Sequence, residues 1–122
     1  MSQSILSALT QAASSVLTVP LMPAPARGIL PCASYRFYPH ASDGAMAHSR
    51  FEVRVFAPTP EEAVREITAL RRRIVPDGDS GALSDENGMI LICETNEGSG
   101  AGYVRGCGMY FIKAGFDVSA HA

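Results

Sequence analysis

The sequence predicts an α+β fold: one mainly antiparallel sheet of four strands, or slightly more, with two helices packed on one face in the order α-β-β-α-β-β. Residues 4–17 and 60–75 repeat apolar side chains at helical spacing, whereas residues 49–56 alternate with a period of two. The remaining apolar runs come in neighbouring pairs joined by short turns, the pattern of hairpins rather than of parallel crossovers. With 122 residues, 47% of them hydrophobic, the chain has enough apolar surface for one core, and residues 1–122 read as a single domain without repeats.

The first helix rests on Ile5, Leu9, Ala12 and Val16, which stack on one face, with Ser2 or Ser4 as the cap. Its other face (Ser7, Gln11, Ser14) is polar but uncharged, which suits contact with a neighbour. Residues 18–31 hold Pro20, Pro23, Pro25 and Pro31 as well as Gly28. Proline lacks an N–H and fixes φ, so an extended connector is expected, neither helix nor central strand. Its Val19, Leu21, Met22, Ile29 and Leu30 are too apolar for a free linker and predict that it packs on something.

Residues 32–38 read as a strand, followed by a hairpin loop with the turn signal Ser42-Asp43-Gly44. In the strand at 49–56, Phe51, Val53 and Val55 point one way and Arg50, Glu52, Arg54 and Phe56 the other. The second helix starts sharply: Thr59 caps it, Pro60 takes the first position, and Glu62 completes a capping box. Ala63, Ile67, Leu70 and Ile74 form its buried stripe, and Pro76 ends it. Arg71, Arg72 and Arg73 suit contact with phosphate or an acidic partner, or else complement the helix dipole at its C-terminus with two of the three side chains left in water. Beyond it, residues 77–88 read as an acidic loop, 89–94 as a short strand, 95–102 as a Gly-rich turn and 103–113 as a long strand with Arg105, Cys107, Met109 and Phe111 on one face. Val118 adds a last short pairing before the tail.

A formal net charge of −2 argues against a dedicated nucleic-acid binder, which carries a basic excess to release counterions. Nine of the ten basic residues are Arg and only Lys113 is Lys, a usage that suits bidentate pairing at interfaces and equally follows from the base composition of a coding genome. The three cysteines (Cys32, Cys93, Cys107) are odd in number and widely spaced, so neither a disulfide framework nor a zinc site is expected; each lies in an apolar stretch, as a reduced core thiol does. The N-terminus lacks the basic start and apolar run of a signal peptide, and nothing approaches the ~18 apolar residues of a membrane span, so a soluble, unexported chain is expected.

Three segments imitate functional motifs and fail on inspection. From Asp77, a calcium loop would need Gly where Ala82 stands and Glu where Gly88 stands. The run Gly98-Ser-Gly-Ala-Gly lacks the third glycine of a dinucleotide fingerprint and precedes a strand rather than a helix. His40, His48 and His121 have no nucleophile in a recognisable context, so they read as solvated or interfacial. No catalytic, metal or cofactor-binding residue is expected, and the chain does not read as an enzyme.

The segment Ser49-Arg-Phe-Glu-Val-Arg-Val-Phe-Ala-Pro-Thr-Pro-Glu-Glu-Ala-Val-Arg-Glu-Ile, a charge-alternating strand running into Thr-x-x-Glu-Ala at a helix start, resembles the tail terminator (tail-completion) proteins of long-tailed bacteriophages and related gene-transfer particles. The resemblance covers most of the chain in layout and residues 49–74 in sequence character. It implies a virion subunit assembled in the host cytoplasm, forming a homo-oligomeric ring, commonly of six. Such a ring stops growth of the tail tube and joins the tube protein to the neck or head-completion protein, and DNA passes through its lumen unread. The candidate contacts are Arg50, Glu52 and Arg54 on the alternating strand; Asp43, Met46 and His48 in the loop 41–48; Asp77 and Asp79 in the loop 77–88; Arg71 and Arg72 at the helix end; and the connector 18–31. Another head–tail joining protein is the near alternative, and a small ligand- or peptide-binding module using an open sheet face is the distant one.

Overall fold

Alternation along one strand organises the molecule. In the computed structural model, which describes residues 2–40, 42 and 44–121, every second residue from Ser49 to Ala57 is buried and those between are half-covered. This strand, β3 (Met46–Ala57), lies inside a six-stranded sheet with β1 (Leu21–Pro23), β2 (Cys32–Pro39), β4 (Ser80–Asp85), β5 (Gly88–Val104) and β6 (Met109–His121). The strand order is β1-β2-β3-β6-β5-β4; β1 pairs with β2 in parallel, and every other pairing is antiparallel. The helices α1 (Ser2–Val16) and α2 (Pro60–Ile74) pack against each other and against one face of this sheet.

The core lies between that face and the helices. Phe51, Val53 and Val55 meet Ala114, Phe116 and Val118 across the β3–β6 ladder, and Ile90 and Ile92 extend the layer into β5. Leu9 of α1 and Ile67, Leu70 and Ile74 of α2 close over them, all essentially without solvent exposure. Each such side chain contributes about 1.5–3 kcal/mol relative to exposure. Val16, expected in the stripe of α1, is only half-buried, and Leu17 completes the stripe instead.

Thr59 caps α2 as expected: its hydroxyl accepts from the Glu62 amide at 3.2 Å. The reciprocal half of the expected capping box is not formed; among the described residues the buried Glu62 Oε2 has no hydrogen-bond partner. Ser4 is not a cap; it lies inside α1 and donates to Asp85 at 2.8 Å. A buried carboxylate joins the helices to the connector: Glu66 accepts from the Thr18 amide at 2.6 Å, just past the end of α1.

The sheet corrects four expectations, and the element order becomes α-β-β-β-α-β-β-β. The proline-rich connector contributes β1, where Pro20 O accepts from Ala33 N at 2.8 Å and Ala24 N donates to Tyr35 O at 2.9 Å; prolines are tolerated there because β1 is an edge. Half of the acidic segment 77–88 is strand β4, which turns Leu83 into the core. Gly81 is required in β4 because an added Cβ would collide with the Ile74 carbonyl oxygen at the end of α2.

Residues 95–102 are strand rather than turn, and the β5–β6 turn falls at 105–108, where Gly108 takes a φ of 68°. Arg105 and Cys107 are therefore turn residues, and β6 continues far past Lys113. The loop expected over 41–48 ends by Met46, where β3 begins, so Met46 and His48 are strand residues paired with His121 and Ser119. Only Cys32 is a buried thiol, further raised in pKa by that burial; Cys93 and Cys107 are exposed.

Candidate interaction surface

Among the described residues no helix covers the second face of the sheet. The alternation that buries Phe51, Val53 and Val55 turns Arg50, Glu52, Arg54 and Phe56 outward, and the β6 register sets Asp117, Gly115, Lys113 and Phe111 opposite them in that order. Charges therefore meet across the strands. The Arg50 guanidinium bonds Glu97 at 2.6 Å and Asp117 at 3.3 Å, and Lys113 lies 3.7 Å from Glu52. The Glu97 carboxylate first, and Asp117 after it, hold the Arg50 guanidinium above its ordinary pKa. Arg54 has no carboxylate within ion-pair distance among the described residues; instead it lies 4.9 Å from the centroid of the Phe111 ring.

Glycine makes this arrangement possible at two places. β5 bulges between Thr95 and Gly100, and the arch so formed lies over Gly115, where an added Cβ would stand 2.7 Å from the Glu97 carbonyl oxygen. That close approach delivers the Glu97 carboxylate to Arg50 from a strand two places away. At Gly102 an added Cβ would stand 2.9 Å from the Phe111 ring, which lies over the bare backbone and supports Arg54.

Beside β2 the connector borders a half-open cavity of about 290 Å3 on this face, lined by Pro25, Arg36, Glu52, Arg54, Phe56 and Lys113 among others. At the other flank the face turns apolar, with Met89, Leu91 and Cys93 of β5 exposed.

The candidate contact residues fall into three groups. Arg50, Glu52 and Arg54 share the open face with Met46 and His48, whose Nδ1 lies 3.1 Å from Ser119 Oγ. Asp77 and Asp79 are exposed at the entry to β4, far from that group in strand order; the Asp79 carbonyl accepts from Glu94 N at 2.7 Å. Arg71 donates to Glu94 at 2.8 Å, whereas Arg72 and Arg73 are exposed. Asp43 lies outside the described residues.

Sequence reasoning missed Arg36, Glu97, Phe111, Lys113 and Asp117 as partners of this group. The signal was present for three of them: Phe111, Lys113 and Asp117 alternate with Ile112, Ala114 and Phe116 once the strand is carried past Lys113. Among the described residues, no three His, Cys, Asp or Glu side chains are grouped as a metal site, and no helix is long and apolar enough to cross a membrane.

No family model matches the chain, and no curated protein matches it in sequence. Its fold is matched by a solved chain described as "Virion of native gene transfer agent (GTA) particle", at 14% identity and a TM-score of 0.68, over 99% of this chain and 97% of that one. The chain thus has the α+β fold of a protein found in a gene transfer agent particle.

Proposed function

We propose that this protein is a structural, non-enzymatic subunit of a phage-type virion or gene-transfer particle. Within the particle we assign it to the tail terminator: a ring, commonly of six copies, at the head-proximal end of the tail tube, which stops tube growth and joins the neck. The observation that carries this reading is the end-to-end fold match to a chain of a gene transfer agent virion. The open sheet face supports it, because cross-strand pairs such as Arg50–Asp117 hold side chains in place before any partner arrives, as a specific subunit contact requires. The near-neutral net charge of −2 suits a lumen through which DNA slides without being held.

The test is to purify the protein alone and with the co-expressed tail-tube protein of its own particle, then to record native mass and electron micrographs. Rings capping one end of tubes of uniform length support the assignment. A monomer that leaves tube ends open and tubes overgrown refutes it. Labelled subunits found on the head-side neck of intact particles, away from the tube end, identify another head–tail joining protein instead.

A further inference from the structure

The two ends of the sheet carry opposite charge. At the β1–β2 end, the cavity under the connector gathers Arg36, Arg54 and Lys113 against the single carboxylate of Glu52. Lys113 is matched to Glu52 at 3.7 Å, which leaves both guanidinium groups without a carboxylate among the described residues. Arg54 is nevertheless held in place, stacked on Phe111. At the other end, Asp77 and Asp79 lead into the edge strand β4, Asp85 ends it and Glu86 follows it. Asp77, Asp79 and Glu86 are exposed with no ion pair among the described residues, and Arg73 is among the residues lining the groove beside β4.

Each end also exposes large apolar side chains. Ile29 (68% exposed) and Leu30 (38%) project from the connector, and Met89 (61%) and Leu91 (48%) flank β4. Apolar area rimmed by charge is the composition of a protein contact rather than of a phosphate track. Glu52 inside the cavity also disfavours a nucleic-acid backbone.

We infer that the basic cavity between the connector and the open face of β2, β3 and β6 receives the acidic β4 edge of a second copy of this chain, giving a head-to-tail contact that repeats around the assembly. This rests on the ring reading above and specifies which surfaces make the ring. Two different, complementary patches at opposite ends of one sheet are what a heterologous, ring-closing interface requires; a two-fold contact through either patch would set like charge against like.

The test uses full-length protein under the conditions in which the wild type assembles. One variant reverses the cavity (Arg36→Glu with Arg54→Glu), and the other reverses the edge (Asp77→Arg with Asp79→Arg). With unfolding midpoints near wild type, each variant alone should lose self-association by on the order of a hundredfold or more. Mixed in equal amounts they should assemble again, because each cavity then meets an edge of opposite sign. Native mass spectrometry should find the two variants in equal number and only even-membered rings.

A second measurement needs no variant. Lys113 is the only lysine, so zero-length carbodiimide coupling of the wild-type assembly should join its Nζ through an amide to a carboxylate of the 77–86 segment of another copy. Variants that assemble like wild type, or an intersubunit Lys113 link only to other segments, overturn the inference and leave the ring reading standing. Loss of assembly without rescue on mixing also overturns the pairing. Binding of short duplex DNA that the cavity variant abolishes assigns the cavity to nucleic acid and overturns it too. A wild type that assembles neither alone nor on tubes overturns both readings.

Discussion

Glu66 is the side chain whose loss the structure predicts most sharply. It is 3% exposed, and its Oε1 accepts the Thr18 amide at 2.6 Å, so one carboxylate of α2 holds the chain where it leaves α1 for the connector. Glu66→Ala removes a charge-assisted hydrogen bond worth about 1.5–3 kcal/mol and leaves a donor unpaired next to the core. Relief from burying a carboxylate offsets part of that loss, so a net destabilisation of about 2 kcal/mol is expected. For a chain of this size that lowers Tm by about 6–12 °C. Glu66→Gln keeps an acceptor of the same shape and should cost about half as much. Urea titrations with unchanged m-values, together with calorimetry, measure both. If Glu66→Ala falls within ~0.5 kcal/mol of wild type, or if Gln is as damaging as Ala, the bond to Thr18 does not hold the connector and the reasoning fails.

Three further outcomes are expected. Ile67→Asp places an unpaired charge at a site only 1% exposed, which costs about 4 kcal/mol or more and should unfold the chain by circular dichroism; a soluble, cooperatively melting variant would mean that the helix stripe is misassigned. Of the three thiols, Cys93 and Cys107 should react with an aromatic disulfide reagent in the native protein and Cys32 only after unfolding, so three fast thiols would contradict the buried position of Cys32. Asp85 is held below its ordinary pKa of 3.8, chiefly by the Ser4 hydroxyl. A depressed folded-state value means that its contribution to stability is full above that pH and is lost as pH falls through the lower folded-state value. Ser4→Ala should move the Asp85 carboxyl upward in an NMR titration and lessen the acid-side decline; an unmoved titration would show that the hydroxyl is not what lowers it.

The parts of the fold that were legible in the sequence are those where one physical rule acts alone. Residues 49–74 combine a strict period of two, a Thr cap, a Pro at the first helical position and a 3.6-residue stripe, and each of these signals agrees with the structure. Misreadings arise where a local rule is overridden by a neighbour. Prolines at 20 and 23 argue against a strand, yet β1 pairs along one side only and needs few of the donors that proline lacks. Glycines at 100 and 102 argue for a turn, yet they lie in β5 opposite Lys113 and Phe111, and Phe111 covers the bare backbone.

The candidate surface was half legible for the same reason. The charged row on β3 follows from alternation, but its partners on β6 and on the β5 arch depend on a register that no single strand reveals. The period across 89–104 is also unreadable in one pass, because the bulge shifts the outward positions from Leu91, Cys93 and Thr95 to Gly100 and Gly102.

The same bulge determines which changes of length the sheet tolerates. Between its paired positions, β5 takes five steps from Thr95 to Gly100, while β6 takes two from Gly115 to Lys113. Excising three residues from the arch would leave an unbroken ladder with Gly100, Gly102 and Val104 still facing outward, and a longer arch would likewise leave both flanks in place. A single residue added between Ile90 and Glu94 has no such outlet and would exchange the inner and outer faces of everything around it. Among descendants of a common ancestor, gaps and insertions should therefore collect at 96–99, and a peptide tag grafted there would sit above the charged row without disturbing the core beneath.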